Sequence, residues 1–250
     1  MYQINLANTK NRRISEQKGN ITIFEYDHDM SVDPGCAVGA YYAAKMNVRK
    51  RQALFQLDSY NAVVCQAGAM QWTAGTVQAG TNVNGVGDFA KKLLGASVTG
   101  ESVVKPLYTG NGLLMLEPTY KYLLIEDVGA WNGMVIDDGL FLACQASVSA
   151  NTVARKNFSS ALAGAEGLFN TCLNGQGYAV LESRYPREEL VEVILNNDEL
   201  KIDGNFAVCW SASLNFTVER STKTLIGSAA SKEGLVNVYR GTGRVLMAPL

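Results

Sequence analysis

A seven-residue segment that occurs twice constrains the fold of this chain more than any other feature of its 250 residues. Residues 138–144 read DGLFLAC, and residues 203–209 read DGNFAVC, 65 positions later. The tripeptide Gly110-Asn111-Gly112 upstream of the first copy returns as Gly175-Gln176-Gly177 upstream of the second, at the same spacing. A fixed period of this length is typical of internal repeats, in which each copy is one supersecondary unit. The sequence therefore predicts a chain built from repeated units.

A third copy is divided between the two ends of the chain. Gly241-Thr242-Gly243 repeats the Gly-x-Gly pattern near the C-terminus, and Cys65-Gln66-Ala67 resembles Cys144-Gln145-Ala146. We predict that the C-terminal strand pairs with the N-terminal segment and completes its unit, because such closure removes exposed sheet edges. The predicted single domain, 1–250, then contains three units at approximately 20–107 completed by 239–250, 108–172, and 173–238.

The matching positions have structural explanations. Glycines in pairs, and aspartate before glycine, are typical of turns. Cysteine after apolar residues is typical of a buried strand, since free cysteine is among the most buried residue types. We assign structural roles in the repeat to Gly110, Gly112, Asp138, Gly139, Cys144, Gly175, Gly177, Asp203, Gly204, Cys209, Gly241 and Gly243.

Short alternating segments and frequent turn residues predict an all-β fold. We expect three pseudo-symmetric units of the β-sandwich or double-stranded β-helix type, closed by pairing of the N- and C-terminal segments, with few short helices. Residues 21–26 and 189–195 alternate as strands, and Asn196-Asn197-Asp198 predicts a turn. Residues 38–50 alternate loosely and also favour a strand, whose basic end at 45–51 we interpret as a solvated or edge-protecting face.

Composition and charge exclude several function classes. The net charge of −1 offers no basic surface for nucleic acid, so we expect no nucleic-acid partner. No apolar run reaches the roughly 20 residues that span a bilayer, so we expect no membrane insertion. The N-terminus lacks the pattern of a signal peptide, and the five cysteines form no Cys-x-x-Cys pair. These features predict a cytoplasmic protein with reduced core thiols.

A glycine-rich insertion separates the first cysteine segment from the first Gly-x-Gly strand. It covers residues 72–105 and includes a predicted short helix at 88–94, between Asp88 and Gly95. Long loops in compact domains are often functional. Trp72, at the border of the insertion, is the best candidate in the sequence for contact with a ligand or partner.

Catalytic and metal-binding patterns are weak. His28 is the only histidine and lies between Asp27 and Asp29, which suits an exposed turn better than a catalytic base. The carboxylates at 126–127 and 137–138 could hold a divalent cation, but Asp138 precedes glycine as Asp203 does, which favours turn chemistry. Nucleophile elbows, phosphate loops and dinucleotide fingerprints are missing from the sequence. We therefore expect no cofactor, no metal and no enzymatic activity.

The order and spacing of several motifs resemble the altered inheritance of mitochondria (mitochondrial biogenesis) family over roughly residues 20–250. The motifs are Cys65-Gln66-Ala67-Gly68-Ala69-Met70 followed by Gly75, Leu93-Leu94-Gly95, the Gly-x-Gly strands, Asp138–Ala143 and Glu233-Gly234-Leu235. The resemblance implies a fold related to the tryptophan RNA-binding attenuation protein, with three β units in pseudo-threefold symmetry. It supplies no catalytic motif. Asn111, Gln176 and Thr242 stand where family members often carry Gly or Pro.

Three functional hypotheses follow. The first is a non-enzymatic β-repeat module for binding or assembly, working as a homo-oligomer. The second is a small-molecule-binding protein whose ligand, unknown from the sequence, lies near the 72–105 insertion or between repeats. The third is an enzyme that uses cysteine or carboxylate chemistry, which would need a cysteine with a low pKa and an accessible thiol.

Overall fold

The computed structural model describes residues 2–6, 9–81, 105–137, 139–154, 169–220 and 235–249. Strands dominate this part of the chain, so the all-β prediction is confirmed. The strands form two antiparallel sheets. One α-helix, α1 (Ala37–Lys45), and two short 3-10 turns, Gly129–Trp131 and Arg187–Glu189, accompany them in the described ranges.

The first sheet has nine strands, which share one strongly curled surface. They are β1 (Arg12–Lys18), β2 (Ile21–Tyr26), β3 (Arg51–Leu57), β4 (Val63–Cys65), β5 (Met70–Thr81), β6 (Pro106–Leu116), β7 (Tyr122–Asp127), β9 (Phe141–Gln145) and β12 (Tyr178–Ser183). Their order is β1-β2-β3-β6-β4-β9-β12-β7, and β5 pairs with β6.

The second sheet has seven strands. They are β8 (Met134–Ile136), β10 (Val148–Ala154), β11 (Phe169–Gly175), β13 (Val191–Asp203), β14 (Ala207–Ser211), β15 (Asn215–Arg220) and β16 (Leu235–Met247). Their order is β10-β11-β8-β14-β16-β13, and β15 pairs with β16.

The two ends of the nine-stranded sheet approach each other and almost close it into a barrel. β1 and β7 are the two ends of the strand order, yet Lys18 Nζ on β1 donates a hydrogen bond to the Ile125 carbonyl on β7, 3.0 Å away. The inside of the curl is apolar, and Phe55, Leu114 and Val180 there are fully buried. The apolar face of the sheet thus packs largely against itself.

A second core joins the two sheets. Leu181 and Phe141 of the nine-stranded sheet pack with Met134 and Leu246 of the seven-stranded sheet. The chain passes from β11 in one sheet to β12 in the other through Gly175-Gln176-Gly177. Because the apolar residues of β12 face the curled core and the second sheet alternately, both faces of this strand are buried.

The first glycine of each Gly-x-Gly pair has the same unusual backbone conformation. The φ angles of Gly110, Gly175 and Gly241 are 111°, 127° and 122°, a region that side chains disfavour. A Cβ atom at Gly175 would lie 2.2 Å from the Ser147 carbonyl oxygen. Glycine is therefore required here by both the dihedral angle and the close strand approach.

The turn glycines Gly139 and Gly204 also have left-handed φ angles, 73° and 75°. Asp203 ends β13, immediately before Gly204. Asp138 lies outside the described residues, as does the helix predicted at 88–94. These two glycines lie in the connections that lead into β9 and β14.

The predicted pairing of the two chain ends is wrong. Among the described residues β16 pairs with β13, β14 and β15, and the N-terminal strands lie in the other sheet. The partners of β16 directly precede it in the sequence, so these pairings close shorter loops and cost less entropy than a pairing of the termini. Moreover, β4 with Cys65 pairs directly with β9, where Val64 lies opposite Cys144.

Two local predictions are also wrong. Residues 37–45 form α1 rather than a strand, because four of its nine residues are alanine, the strongest helix former. The Asn196–Asp198 turn is a bulge inside the continuous strand β13, with Asn197 at a φ of 53°. A bulge lets the strand absorb this polar segment without ending. The strand predicted at 21–26 is confirmed as β2.

Candidate functional sites

The longest uncharged sheet edge of the described residues is β5. Residues 70–81 read MQWTAGTVQAGT and contain no charged residue and no proline. β6 is the sole described strand that pairs with β5, and most of its side chains are exposed. Trp72 is half-buried on this strand, next to a bulge between Met70 and Trp72. The sequence-predicted contact residue therefore lies on a strand with one open edge, as far as the described strands show.

The other edge strands of the described residues are either charged or shorter than β5. Four of the seven residues of β1 are charged, and Lys18 and Glu16 form an ion pair of 2.7 Å. The edge strand β13 contains five charged residues, including the Lys201–Glu199 pair at 2.9 Å. β10 is uncharged but only seven residues long. Because natural proteins protect open edges with charge or keep edge strands short, the long uncharged strand β5 is the exception among these edges.

A cleft lies where the two sheets meet, and we name it the inter-sheet cleft. It has a volume of about 370 Å3. Its lining comes from chain segments that leave or enter strands of both sheets: Asp137, Leu140, Ser183, Arg184, Tyr185, Asn205, Phe206, Ala207, Val208 and Ala248. The two Asp-Gly turns of the repeat lead directly into it, since Leu140 follows Gly139 and Asn205 follows Gly204. The structure thus brings together two segments that are 65 positions apart in the sequence.

The polar side chains of the inter-sheet cleft differ in whether they already have a hydrogen-bond or ion-pair partner. Ser183 is almost fully buried, and its Oγ accepts a hydrogen bond from the Tyr185 amide at 3.0 Å. Arg184 is exposed and makes no ion pair with the residues that the structure describes. The cleft therefore combines a mostly apolar wall with one guanidinium group that is available to a ligand.

A buried carboxylate, Glu126 on β7, lies beside a smaller cavity of about 250 Å3 and contacts both 3-10 turns. Glu126 Oε2 accepts a hydrogen bond from Trp131 Nε1 at 3.1 Å, and Oε1 pairs with Arg187 Nε at 3.0 Å. Arg244 lies 4.1 Å from the Trp131 ring centroid and pairs with Glu192 at 3.2 Å. Desolvation by burial lowers the pKa of Arg187, but the neighbouring carboxylates of Glu126 and Glu192 outweigh it, so the pKa is raised overall. These groups satisfy one another, which indicates a structural role for the cluster.

A second buried carboxylate, Glu25, holds the basic run of the sequence. Glu25 is 7% exposed and pairs with Arg51 at 2.6 Å, Arg13 at 2.5 Å and Arg49 at 3.4 Å. Arg51 is itself 4% exposed, and its guanidinium lies 3.9 Å from the Tyr122 ring centroid. The basic run at 45–51 is therefore not simply the solvated face that the sequence suggested.

His28 lies on the segment between β2 and β3, together with its two acidic neighbours. Asp27 pairs with Arg49 at 2.5 Å, and Asp29 pairs with Lys50 at 2.6 Å. The hydrogen bonds from Lys50 and Ser31 hold the pKa of Asp29 well below its usual range. The carboxylates of Asp27 and Asp29 thus form ion pairs with Arg49 and Lys50 rather than with the imidazole of His28. Among the described residues, no group of three His, Cys, Asp or Glu side chains could hold a metal ion.

The repeat cysteines Cys144 and Cys209 are fully buried, as is Cys65. Burial raises the pKa of Cys65 and of Cys144 to about 12 and raises the pKa of Cys209 well above its ordinary value. A thiol must ionise to act as a nucleophile. These three cysteines are therefore protonated at neutral pH.

We expect an alkylating reagent to label Cys36 first, because it is exposed, whereas Cys65, Cys144 and Cys209 react only on unfolding. Timed labelling with iodoacetamide followed by peptide mass spectrometry checks this order. Labelling in denaturant, where all five cysteines should react, is the control. Fast native labelling of Cys144 or Cys209 would instead support an activated thiol.

The two remaining tryptophans are packing residues. Trp210 is 3% exposed and contacts Tyr239 and Phe216, with ring centroids 5.2 Å and 5.5 Å away. Trp131 is buried against Arg244. Of the three tryptophans, Trp72 is therefore the one on a strand that has a single partner among the described strands. None of the described helices is long and apolar enough to cross a membrane.

Sequence comparisons identify a matching protein family and a bacterial relative. A family model described as mitochondrial biogenesis AIM24 matches residues 43–250. An uncharacterised protein of Streptococcus pyogenes serotype M6 is 27% identical over 201 residues, which cover 78% of this chain and 79% of that protein.

A structural comparison agrees. The crystal structure of a protein from Streptococcus pyogenes matches with a TM-score of 0.57 at 22% identity and covers 96% of this chain and 94% of that chain. At this identity the likeness concerns the fold alone. The relation to the fold of the tryptophan RNA-binding attenuation protein stays a prediction.

Proposed function

This chain belongs to the mitochondrial biogenesis AIM24 family, and we propose that it is a non-enzymatic assembly module that forms homo-oligomers along β5. One observation carries the proposal: a 12-residue sheet edge with neither charge nor proline. Such an edge presents unpaired backbone N–H and C=O groups and is a template for pairing with another strand.

A second copy of the same strand is the partner that fits this edge best. A twofold interface brings the same surface patch together from two subunits, and twofold dimers are the commonest oligomers. Two copies of β5 in antiparallel pairing place no charge opposite another charge, since the strand has none. Pairing would also cover Trp72, which is half-buried in the single chain. This gives the sequence-predicted contact residue a definite role.

Internal repetition is part of the proposal. We infer that the three β units are pseudo-symmetric copies. The shared φ angles of Gly110, Gly175 and Gly241 support this, as do the left-handed glycines at 139 and 204. The protonated thiols and the paired carboxylates of Glu25 and Glu126 support a scaffold without catalytic chemistry.

A lysine on the open edge tests the assembly. We expect native mass spectrometry of the wild-type protein to show an even number of chains, and Thr73→Lys to shift it to the monomer, because a lysine on an edge strand opposes further pairing. Thr73 is exposed, so the monomer should stay folded by circular dichroism.

Gln17→Lys is the matched control, because Gln17 is exposed on β1, an edge that already carries charge. It should leave the oligomer unchanged. A monomeric wild-type protein at tens of micromolar, or an unchanged oligomer for Thr73→Lys, would refute assembly through β5.

A further inference from the structure

We infer that the inter-sheet cleft binds a small amphipathic anion, with an apolar body and a single carboxylate, sulfonate or phosphate group. The cleft shares no residue with β5, so this inference is independent of the proposed assembly. It rests on the apolar wall between the two sheets and on Arg184 beside it.

The wall is suited to an apolar body. Val208 and Ala207 are buried, while Phe206 is 42% exposed and so offers an aromatic face to the cleft. Leu140 and Ala248 add further apolar surface and pack against the core between the sheets. A volume of about 370 Å3 lies within the range of small-molecule sites.

Backbone hydrogen bonds hold the wall in place. The Asp137 amide donates to the Val208 carbonyl at 3.1 Å, and the Ala248 amide donates to the Phe206 carbonyl at 2.7 Å. The Glu182 amide donates to the Leu140 carbonyl at 2.8 Å. The cleft is therefore preformed, which lowers the entropy cost of binding.

The charged groups select an anion. Arg187 forms ion pairs with Glu126 and Glu192. Arg184, three positions before it, has no ion-pair partner among the described residues. A guanidinium binds carboxylate, sulfonate or phosphate oxygens with two parallel hydrogen bonds. Asp137 also lines the cleft, so its negative charge disfavours a ligand with several anionic groups. One anionic group directed at Arg184 fits this arrangement.

The probe is 8-anilinonaphthalene-1-sulfonate, an aromatic body with one sulfonate, followed by fluorescence and displaced with decanoate. We expect Arg184→Gln to weaken both affinities about tenfold or more, the usual effect of losing a charge-assisted hydrogen bond. Ala248→Trp keeps the arginine, should fill the cleft and should abolish displaceable binding. Neutral decanol should compete much less well than decanoate.

Lys10→Gln removes one exposed positive charge far along the chain and is the matched control, with affinity expected to stay unchanged. Circular dichroism verifies that each variant is folded. Probe binding that survives both Arg184→Gln and Ala248→Trp would overturn the site. Binding lost in Ala248→Trp but unchanged in Arg184→Gln, or equal displacement by decanol, would overturn the anion. The same titration on Thr73→Lys separates this result from that of the assembly.

Discussion

Removal of residues 241–250 is expected to abolish the folded state. These residues form half of β16, which pairs with β13 on one side and with β14 and β15 on the other. The truncation removes Val245 and Leu246, which are fully buried. Loss of one such side chain costs about 2–5 kcal/mol, and the pair together approaches the roughly 5–15 kcal/mol by which most domains are stable.

Thermal and urea unfolding followed by circular dichroism measure this effect, together with the soluble fraction after expression. A shorter truncation of residues 249–250 is the matched control, because Pro249 is exposed and follows the last strand. It should unfold near the wild-type midpoint. A soluble protein that lacks 241–250 and still unfolds cooperatively at that midpoint would show that β16 is dispensable.

Glu25→Gln is expected to destabilise the protein by roughly 3–5 kcal/mol, the usual cost of breaking a buried ion pair from one side. The substitution leaves Arg51 buried, at 4% exposed, without its carboxylate at 2.6 Å. Arg13 and Arg49 lose the same partner. Arg13 and Arg49 keep Asp27 as a partner, whereas the buried Arg51 is left facing a neutral amide.

Asp27→Asn supplies the comparison, since it removes a carboxylate from two of the same arginines at a site that is 42% exposed. Exposed ion pairs contribute about 0–1 kcal/mol, so its effect should be small. Urea unfolding of both variants gives the two free energies. Equal losses for Glu25→Gln and Asp27→Asn would mean that burial of Glu25 does not determine its contribution.

Local sequence patterns predicted the strand class and several turn positions. β2 follows from the alternation of residues 21–26. The burial of Cys144 and Cys209 follows from their apolar neighbours. The sequence did not predict α1, because loose alternation favours a strand whereas the high alanine content favours a helix over the same nine residues. The connection between β2 and β3 is long enough for this segment to form a helix outside the sheet.

The charged clusters were missed for a different reason. Glu25 stands in the apolar strand ITIFEY, and Glu126 stands in YLLIED, so each had a signal as a carboxylate within a buried strand. Their partners could not be identified, because Arg187 lies 61 residues from Glu126. Arg184 and Phe206 carried no signal of their own. Their importance comes from the cleft that distant segments form around them.

By itself, the sequence determined the β class, the Gly-x-Gly positions and the buried thiols, because each depends on the preferences of a few neighbouring residues. Only the tertiary structure decided that β16 pairs with the strands that precede it in the sequence, that β6 is the sole described partner of β5, and that the segments after Gly139 and Gly204 meet at one cleft. Strand pairing is decided by competition among many similar apolar segments, through loop entropy and core packing. A pattern of a few neighbouring residues contains no information on loop entropy or on core packing.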